Sequence, residues 1–201
     1  MWQSGADNLA ATLLLTLNIP PLEAAQIGFV AALAVGDLVE AFVPPDMVRL
    51  KWPNDVLIDS RKVAGILIES GPAAEAGLWI SVGIGVNLTS YPSDVEFPAI
   101  ALADKLSRAV ARAPSPEEAM DRLAACFEFR FSQWLDTGFD AVRTAWLERA
   151  IGLGQACTVR LAGQTIEGVA ENLDADGALL IRLPDCGLTR VAAGDVFFGT
   201  R

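Results

Sequence analysis

Three short runs of this chain carry charged and amide side chains among residues that favour β-strands. They are Lys51-Trp52-Pro53-Asn54-Asp55, then Arg61-Lys62-Val63-Ala64-Gly65-Ile66-Leu67, then Gly83-Ile84-Gly85-Val86-Asn87. An ammonium group near a phosphate ester can offset the charge that builds up as the ester leaves. A carboxylate can bind an incoming amine or take its proton. Glycine within a strand often marks close approach to the backbone, so these runs predict a ligand site on a sheet.

Each motif also has a plainer interpretation that the residue types leave open. Lys51 and Lys62 could be rim lysines with solvated ammonium groups, and Asp55 could be a turn residue that bonds its own backbone. Gly83-Ile84-Gly85 is not a dinucleotide fingerprint, because no third glycine and no helix follow it. The strand context of the lysines, with Asn54 and Asp55 beside them, favours a cationic pocket for phosphate or carboxylate.

A sheet must position these residues, and the alternation over 78–87 shows how. Leu78, Ile80, Val82, Ile84 and Val86 share one face, which is plain core. The other face carries Trp79, Ser81, Gly83, Gly85 and Asn87, so it is nearly bare at its end and finishes in an amide. We expect the tryptophans at 52, 79, 134 and 146 to be core residues.

The remaining pattern predicts an α+β protein with a mixed β-sheet and a small β-barrel. Strands are predicted over 7–17, 48–52, 56–58, 62–69 and 78–87, and helices over 21–43, 99–106, 115–135 and 139–151. Ser115 to Glu118 has the form of a capping box with proline at the first helical position. After the linker 152–154, strands over 156–161, 165–173, 178–183 and 188–191 fit a barrel of five strands. We therefore expect domains at 1–151 and 154–201.

Composition excludes several kinds of function. The net charge is −10, so clustered phosphate binding and attraction to an anionic membrane are disfavoured, and we expect neither a nucleic-acid nor a membrane partner. Histidine is absent, which rules out a Ser-His-Asp or Cys-His mechanism. The 3 cysteines lie far apart and no spacing suggests a metal site. No apolar run reaches about 18 residues, and we expect a soluble cytoplasmic protein.

The three motifs, in this order and at these separations, closely resemble the catalytic domain of biotin–protein ligases. The resemblance continues through the helical segment into a barrel similar to the SH3-like domain that ends bacterial members. It covers essentially the whole chain, and it implies the class II synthetase-like fold of biotin and lipoate ligases. Any one motif alone would be unspecific.

The resemblance implies a reaction in two steps. Biotin and MgATP give biotinyl-AMP and pyrophosphate, and a lysine of a biotin carboxyl carrier domain then attacks the mixed anhydride. Lys62 would hold the biotin carboxylate and the adenylate phosphate, and Asp55 would orient the acceptor lysine. Gly65 would present its backbone to biotin, Asn54 and Asn87 would serve the nucleotide and phosphate, and Lys51 would add positive charge. A homodimer is compatible with the resemblance.

One part of the family pattern has no counterpart in this sequence. Family members carry an upstream strand, helix and Gly-Arg-rich loop that folds over the adenylate, whereas this chain opens at Met1-Trp2-Gln3-Ser4-Gly5. We expect the chain as printed to be weakly active, since such arginines close the site against water. Three other interpretations stay open: a lipoate-type ligase, a non-catalytic remnant that binds biotin or a carrier domain, and an interaction module whose glycine face is only tight packing.

Overall fold

The computed structural model describes residue 5 and residues 7–74, 76–93 and 95–199 of the chain. The predictions that concern residues 1–4 and 200–201, including the outer ends of the two expected domains, lie outside these residues. The strands are β1 (Leu9–Leu17), β2 (Val48–Lys51), β3 (Asp55–Ile58), β4 (Arg61–Pro72), β5 (Leu78–Val86), β6 (Ala156–Arg160), β7 (Thr165–Leu173), β8 (Leu179–Arg182), β9 (Leu188–Val191) and β10 (Asp195–Phe198). The helices are α1 (Pro21–Ala24), α2 (Gln26–Glu40), α3 (Pro116–Thr137) and α4 (Phe139–Arg149), with 3-10 turns at Pro45–Met47 and Leu102–Lys105.

The first sheet has the strand order β1-β5-β4-β3-β2. The α+β class is confirmed, but a mixed sheet is a correction, because every strand pair described in this sheet is antiparallel. Short connections explain the difference, since two-residue turns such as Asp59 and Ser60, both with positive φ, return the chain directly beside the previous strand. Parallel contacts occur only as isolated bridges, Leu50 with Ala150 and Lys62 with Ala99, in the part of the chain described.

Helix α2 covers the back of this sheet and forms the centre of the core. Ile27, Val30, Leu33 and Leu38 are buried, together with the even-numbered residues of β5 from Ile80 to Val86. The stretch Pro21–Glu40 is long and apolar enough to cross a membrane by composition alone, but 72% of its most apolar 18-residue window is buried inside the protein, as expected for a core helix. The helix predicted to reach residue 43 ends at Glu40.

Helices α3 and α4 pack on the outer side of α2 and are held there by an ion network. The capping box at the start of α3 is confirmed: the Glu118 amide donates to Ser115 Oγ (3.2 Å), and the Ser115 amide donates to Glu118 Oε2 (2.8 Å). Asp37 on α2 accepts hydrogen bonds from Arg130 on α3 (2.6 and 2.9 Å) and from Arg149 on α4 (2.8 Å). One carboxylate therefore joins three helices.

The second sheet forms the small barrel, with the order β10-β6-β7-β8-β9 and antiparallel pairs throughout. Its turn at Gly177 (φ 90°) touches the first sheet, where the indole of buried Trp52 donates to the Gly177 carbonyl oxygen (3.0 Å). A side chain at Gly177 would lie 2.6 Å from the Phe29 ring, so close approach as well as positive φ requires glycine there. The barrel is thus docked against the first sheet.

Trp52, Trp134 and Trp146 are buried as predicted, but the prediction for Trp79 was wrong. Trp79 is 39% exposed, because it lies on the front face of β5, which no other element among the described residues covers at that end. Its indole instead lies over Gly71, where a Cβ would come within 2.7 Å of the ring. The alternation of β5 itself is confirmed by the burial of Ile80, Val82, Ile84 and Val86, while Leu78 at its start is partly buried.

Candidate active site

One row of paired residues crosses all five strands of the first sheet. Ala10 pairs with Gly85, Gly85 with Gly65, Gly65 with Asp55 and Asp55 with Lys51. Because registered partners in an antiparallel sheet point to the same face, three small residues form a bare floor that ends in a carboxylate and an ammonium group. Chemistry-bearing side chains from β2 and β3 are thereby placed directly beside the glycines of β4 and β5.

Lys62 joins this face because β4 contains a bulge. Val56 pairs with Ala64 and Leu57 pairs with Lys62, so Val63 is the extra residue. Strict alternation from Gly65 would turn Lys62 toward the core, since three positions separate the two residues. The extra residue restores the shared face, which is a common use of bulges next to functional sites.

Asp55 lies between the two ammonium groups and is 7% exposed. Its Oδ1 is 2.5 Å from Lys62 Nζ, and its Oδ2 is 4.0 Å from Lys51 Nζ. Oδ1 nevertheless accepts no hydrogen bond of good geometry, so the pairing with Lys62 is electrostatic and poorly directed. Asp55 therefore keeps acceptor capacity that its present neighbours do not use.

Lys51 is 8% exposed, and its ammonium group lies 3.8 Å from the centroid of the Phe97 ring. Burial lowers the pKa of Lys51, while the negative charge of Asp55 acts in the opposite direction. The charge of Lys62 lowers the same pKa further. The Lys51 side chain is 10% exposed and that of Lys62 is 29% exposed, so Lys51 is the more desolvated of the two lysines.

The two predicted asparagines have different surroundings. Asn54 lines the bare floor, and its Nδ2 donates to the Ile66 carbonyl oxygen (2.7 Å) across the strand gap. Asn87 is 2% exposed and lines neither cavity described below. Its Nδ2 donates to the carbonyl oxygens of Ile100 (3.2 Å) and Lys62 (3.5 Å), while its Oδ1 has no partner. Asn87 thus fixes the backbone at the bulge.

The bare floor lies under an open cavity of ≈ 380 Å³, which we call the glycine hollow. Its lining is contributed by β1, β4 and β5 with Asn54 and Lys62: Ala10, Ala11, Thr12, Asn54, Lys62, Gly65, Ile66, Leu67, Gly83, Ile84 and Gly85. The hollow is mostly apolar, with one ammonium group at its edge, and it therefore suits a small apolar molecule that carries an anionic end.

A second cavity of ≈ 460 Å³, the interdomain cleft, opens on the other side of Lys62. It contains Lys51, Asp55 and Lys62, faced by Glu96 and Phe97 of the loop after β5 and by Gln155, Phe197 and Phe198 at the barrel. Sequence reasoning missed the barrel residues and Phe97, because residues 89–98 have no periodicity that would indicate where they fold. Ala10 and Thr12 were also missed, although the strand 7–17 was predicted.

Among the described residues, no group of three or more His, Cys, Asp or Glu side chains could hold a metal ion. The chemistry that the described side chains offer is a carboxylate between two ammonium groups, with an apolar hollow on one side and a partly aromatic cleft on the other. That arrangement can hold an anionic intermediate and orient an amine. It has no nucleophile with an adjacent base.

Two family models match the chain in succession. The biotin/lipoate A/B protein ligase family matches residues 1–148, and the biotin protein ligase C-terminal domain matches residues 152–199. The first match covers the sheet, the helices and every predicted site residue, and the second covers the described part of the barrel.

Relatives and solved structures agree with these matches. A biotin--[acetyl-CoA-carboxylase] ligase of Paracoccus denitrificans is 42% identical over 98% of this chain and 83% of its own length. The bifunctional ligase/repressor BirA of Bacillus subtilis is 29% identical, and the chain spans 61% of that protein. The structure of the Aquifex aeolicus biotin protein ligase with biotin and ATP superposes with a TM-score of 0.77 at 22% identity, over 100% of this chain and 82% of that one.

The Leishmania major ligase in complex with biotinyl-5-AMP superposes with a TM-score of 0.61 at 21% identity, over 96% of this chain and 81% of that one. At such identities the superpositions establish the fold, whereas the Paracoccus relative and the two family models establish descent. The chain belongs to the biotin protein ligase family.

Proposed function

We propose that this protein is an ATP-dependent ligase that attaches biotin to a lysine of a biotin carboxyl carrier protein or domain. In the first step a biotin carboxylate oxygen attacks the α-phosphorus of ATP, giving biotinyl-AMP and pyrophosphate. In the second step the acceptor amine attacks the biotinyl carbonyl carbon, and AMP leaves with the electron pair of the broken C–O bond. The family, its relatives and the glycine hollow beside Lys62 support this proposal.

In the first step, the glycine hollow takes the apolar body of biotin and Lys62 takes the carboxylate. Gly65 and Gly85 leave the backbone bare, so the ligand can lie directly on the sheet. The ammonium group of Lys62 stands at the border of both cavities and can therefore follow the charge from the carboxylate to the adenylate phosphate. Lys51 adds positive charge in the cleft, which holds the nucleotide end, while Asn54 lines the glycine hollow and would serve the phosphate next to Lys62.

In the second step, Asp55 orients the acceptor lysine and takes its excess proton. Oδ1 of Asp55 makes no hydrogen bond of good geometry, and it can accept one from another donor once Lys62 turns away. When Lys62 turns toward the adenylate, Asp55 loses part of its countercharge, and an incoming ammonium group replaces it. Asn87 acts indirectly, through the backbone of Lys62.

Mg²⁺ would enter with ATP. Proteins commonly hold this ion through one or two carboxylates plus the substrate's phosphates. Asp55, the buried carboxylate of the site, already faces two ammonium groups, and no metal-binding group of three side chains exists in the described ranges. We therefore propose the magnesium complex of ATP as substrate, with the ion held mainly by the phosphates.

We also retain the division at 1–151 and 154–201 as a proposal, supported by the separate sheets and by family matches that meet between 148 and 152. A cytoplasmic location fits a reaction that consumes ATP. A homodimer is proposed because β1 ends the first sheet with an unpaired edge among the described strands, an arrangement that invites pairing with a second copy. Sedimentation velocity would measure the oligomeric state.

The observation that carries the proposal is the position of Lys62 beside both the bare floor and Asp55. We predict that Lys62→Ala lowers the rate of biotin-dependent pyrophosphate release by about a hundredfold, because one preorganised donor to the developing charge is lost. Biotin affinity measured by calorimetry should fall as well. Lys105→Ala is the matched control: it removes an ammonium group that pairs with Asp59 (3.0 Å) but lines neither cavity.

Equal activity of Lys62→Ala and Lys105→Ala would show that Lys62 takes no part in the reaction. The glycines of the bare floor would then serve only the packing of the sheet. Calorimetry with lipoate in place of biotin separates the two acyl ligases, and the named relatives favour biotin. Biotin binding without any pyrophosphate release in the unaltered protein would instead favour a non-catalytic binding protein.

A further inference from the structure

Residues 96–98, which we call the strap, connect the barrel to the lysine pair. On the barrel side, Arg160 of β6 pairs with Glu96 (3.2 Å), and the ring of Phe197 on β10 stacks on Phe97 with centroids 4.9 Å apart and planes 23° from parallel. The Arg160 guanidinium also lies 4.6 Å from the Phe197 centroid. The strap is therefore held from the barrel by an ion pair and an aromatic stack.

On the other side, the strap contacts both lysines. The ammonium group of Lys51 lies 3.8 Å from the centroid of Phe97. The Lys62 amide donates to the carbonyl oxygen of Pro98 (2.8 Å), so the same short segment pairs with the strand that carries the bulge. The residues that contact the lysines, Phe97 and Pro98, lie within two positions of those that contact the barrel, Glu96 and Phe97. A shift of the barrel would therefore move the groups around both lysines.

We propose that Phe97 is a positioning residue of the ligase reaction, whose ring, held by Phe197 of the barrel, keeps the Lys51 ammonium group beside Asp55. The expected effect on kinetics rests on the proposed function, whereas the contacts among Lys51, Phe97 and Phe197 do not depend on it. A lysine side chain has four rotatable bonds, and the face of an aromatic ring attracts a cation and restricts where it can lie. Glycine at 152 permits the barrel to dock, since a Cβ there would come within 2.3 Å of Phe198.

The charge environment of Lys51 provides a readout that a purely structural role would leave unmoved. Asp55 and Lys62 face Lys51 from the sheet, and Glu96 of the strap and Asp195 of the barrel also act on it. Burial lowers the pKa of Lys51. Removing the ring takes away its attraction for the cation, which acts to lower the pKa of Lys51, but it also readmits water, which acts to raise it. Because burial is the largest influence on the pKa of Lys51, we expect the second effect to prevail, so that the pKa rises toward its ordinary value.

The first experiment labels lysines with an amine-reactive reagent across a pH series and follows the Lys51 peptide by mass spectrometry. The midpoint of labelling is the quantity to compare, because it separates ionisation from simple accessibility. We expect Phe97→Ala and Phe197→Ala each to raise the midpoint by about half a unit or more. Phe129→Ala is the control, as Phe129 is 63% exposed and lies 5.4 Å from the guanidinium of Arg130, far from the site in sequence and fold.

The second experiment measures the kinetics of biotinyl-AMP formation in the same variants. We expect kcat to fall about tenfold in Phe97→Ala and Phe197→Ala, because a small misplacement of a charged group is costly in the transition state. KM for biotin should stay unchanged, since Phe97 does not line the glycine hollow. Phe97→Tyr, which keeps the ring, should retain most of the activity.

Unchanged labelling midpoints in both alanine variants would overturn the proposal, as would equal activity of Phe97→Ala and Phe129→Ala. If circular dichroism shows that an alanine variant fails to fold, the leucine variant at the same position, Phe97→Leu or Phe197→Leu, takes its place in both tests. Leucine keeps most of the apolar volume but lacks the aromatic face. Failure of the unaltered protein to form biotinyl-AMP would refute the proposed function alone, because the labelling midpoints would still report whether Phe97 places Lys51.

Discussion

Gly83 separates what the fold requires from what the site requires. It lies on the front face of β5, opposite Thr12 and Leu67, and a Cβ added there would lie 3.7 Å from the nearest atoms of Leu67, which is an ordinary contact. Nothing in the backbone therefore demands glycine at this position. What glycine provides is empty space in the glycine hollow.

We predict that Gly83→Val leaves thermal stability unchanged or raises it, because valine suits a strand better than glycine does. Its methyl groups would occupy the hollow, and overpacking at a filled position costs about 1–3 kcal/mol, which weakens biotin binding roughly fivefold to a hundredfold. Calorimetry with biotin and a thermal melt measure the two effects separately.

Ser81→Val is the control for this substitution. Ser81 lies on the same face of the same strand, opposite Leu14 and Glu69, but it does not line the hollow. It should bind biotin as the unaltered protein does. Undiminished biotin affinity in Gly83→Val would mean that the ligand lies somewhere else.

At this scale much of the candidate site was predictable from the sequence. Lysines, an aspartate and glycines within strands predicted a ligand site on a sheet, and the structure brings Lys51, Asp55, Lys62, Gly65 and Gly85 onto one face. Asn87 shows the limit of such reasoning, since an amide at the end of a strand can serve a ligand or the backbone equally well. Only its hydrogen-bond partners distinguish the two.

Among the elements, the loop that follows β5 depends on one buried amide at the start of β1. Oδ1 of Asn8 accepts hydrogen bonds from the amides of Leu88 (2.9 Å), Thr89 (3.2 Å) and Ser90 (3.3 Å), and its Nδ2 donates to the Ser90 carbonyl oxygen (2.9 Å). Asn8 is only 6% exposed. The loop that ends in Phe97 is thus fixed at its beginning.

We predict that Asn8→Ala destabilises the protein by about 1–3 kcal/mol, because it leaves three amides without their acceptor. Asn8→Asp keeps an acceptor oxygen and should lose less. Urea unfolding measures the stability, and amide hydrogen exchange at 88–90 should accelerate in the alanine variant. Thr89→Val, which removes only an exposed hydroxyl contact with Asp7, is the control.

If Asn8→Ala unfolds at the same urea concentration as the unaltered protein, the amides of this loop must find other acceptors.

The elements themselves were largely predictable, because alternation, capping and turn residues act locally. The bulge in β4 was not predicted, although one signal existed: Lys62 and Gly65 lie three positions apart, and an odd offset places two residues on one face only if one of the residues between them is an extra residue.

Across the whole molecule, Asp37 joins α2, which covers the first sheet, to the two helices α3 and α4 that pack on it. Its partners Arg130 and Arg149 lie on α3 and α4, and Arg149 also pairs with Glu40 (3.5 Å). The side chains in this network are 13–22% exposed, so solvent screens them only in part. Asp37 lies about a hundred positions from Arg130 and Arg149 in the sequence, and no local sequence pattern predicts these contacts.

We predict that Asp37→Ala costs about 2–3 kcal/mol of unfolding free energy, less than for a fully buried pair because the network is partly solvated. Two guanidinium groups would remain without their shared carboxylate. Chemical denaturation measures the loss. Arg112→Ala breaks the exposed pair with Glu118 and should change stability very little.

A loss in Asp37→Ala no larger than in Arg112→Ala would show that packing of the apolar faces alone holds the helices. The relation of barrel to sheet was equally hidden from the sequence, because Trp52 meets Gly177 and Phe97 meets Phe197 across more than ninety residues. The strands of the barrel could be predicted from the turns between them, whereas the surface by which the barrel docks on the sheet could not.

The single extra residue at Val63 lets β4 differ in length without turning Lys62 to the other face of the sheet. Deleting it would leave Lys62 and Gly65 two positions apart, and plain alternation would then hold both on the same face without a bulge. Deleting two residues would make them neighbours, which places them on opposite faces and drives the ammonium group into hydrocarbon. This segment should therefore tolerate shortening by one residue but not by two.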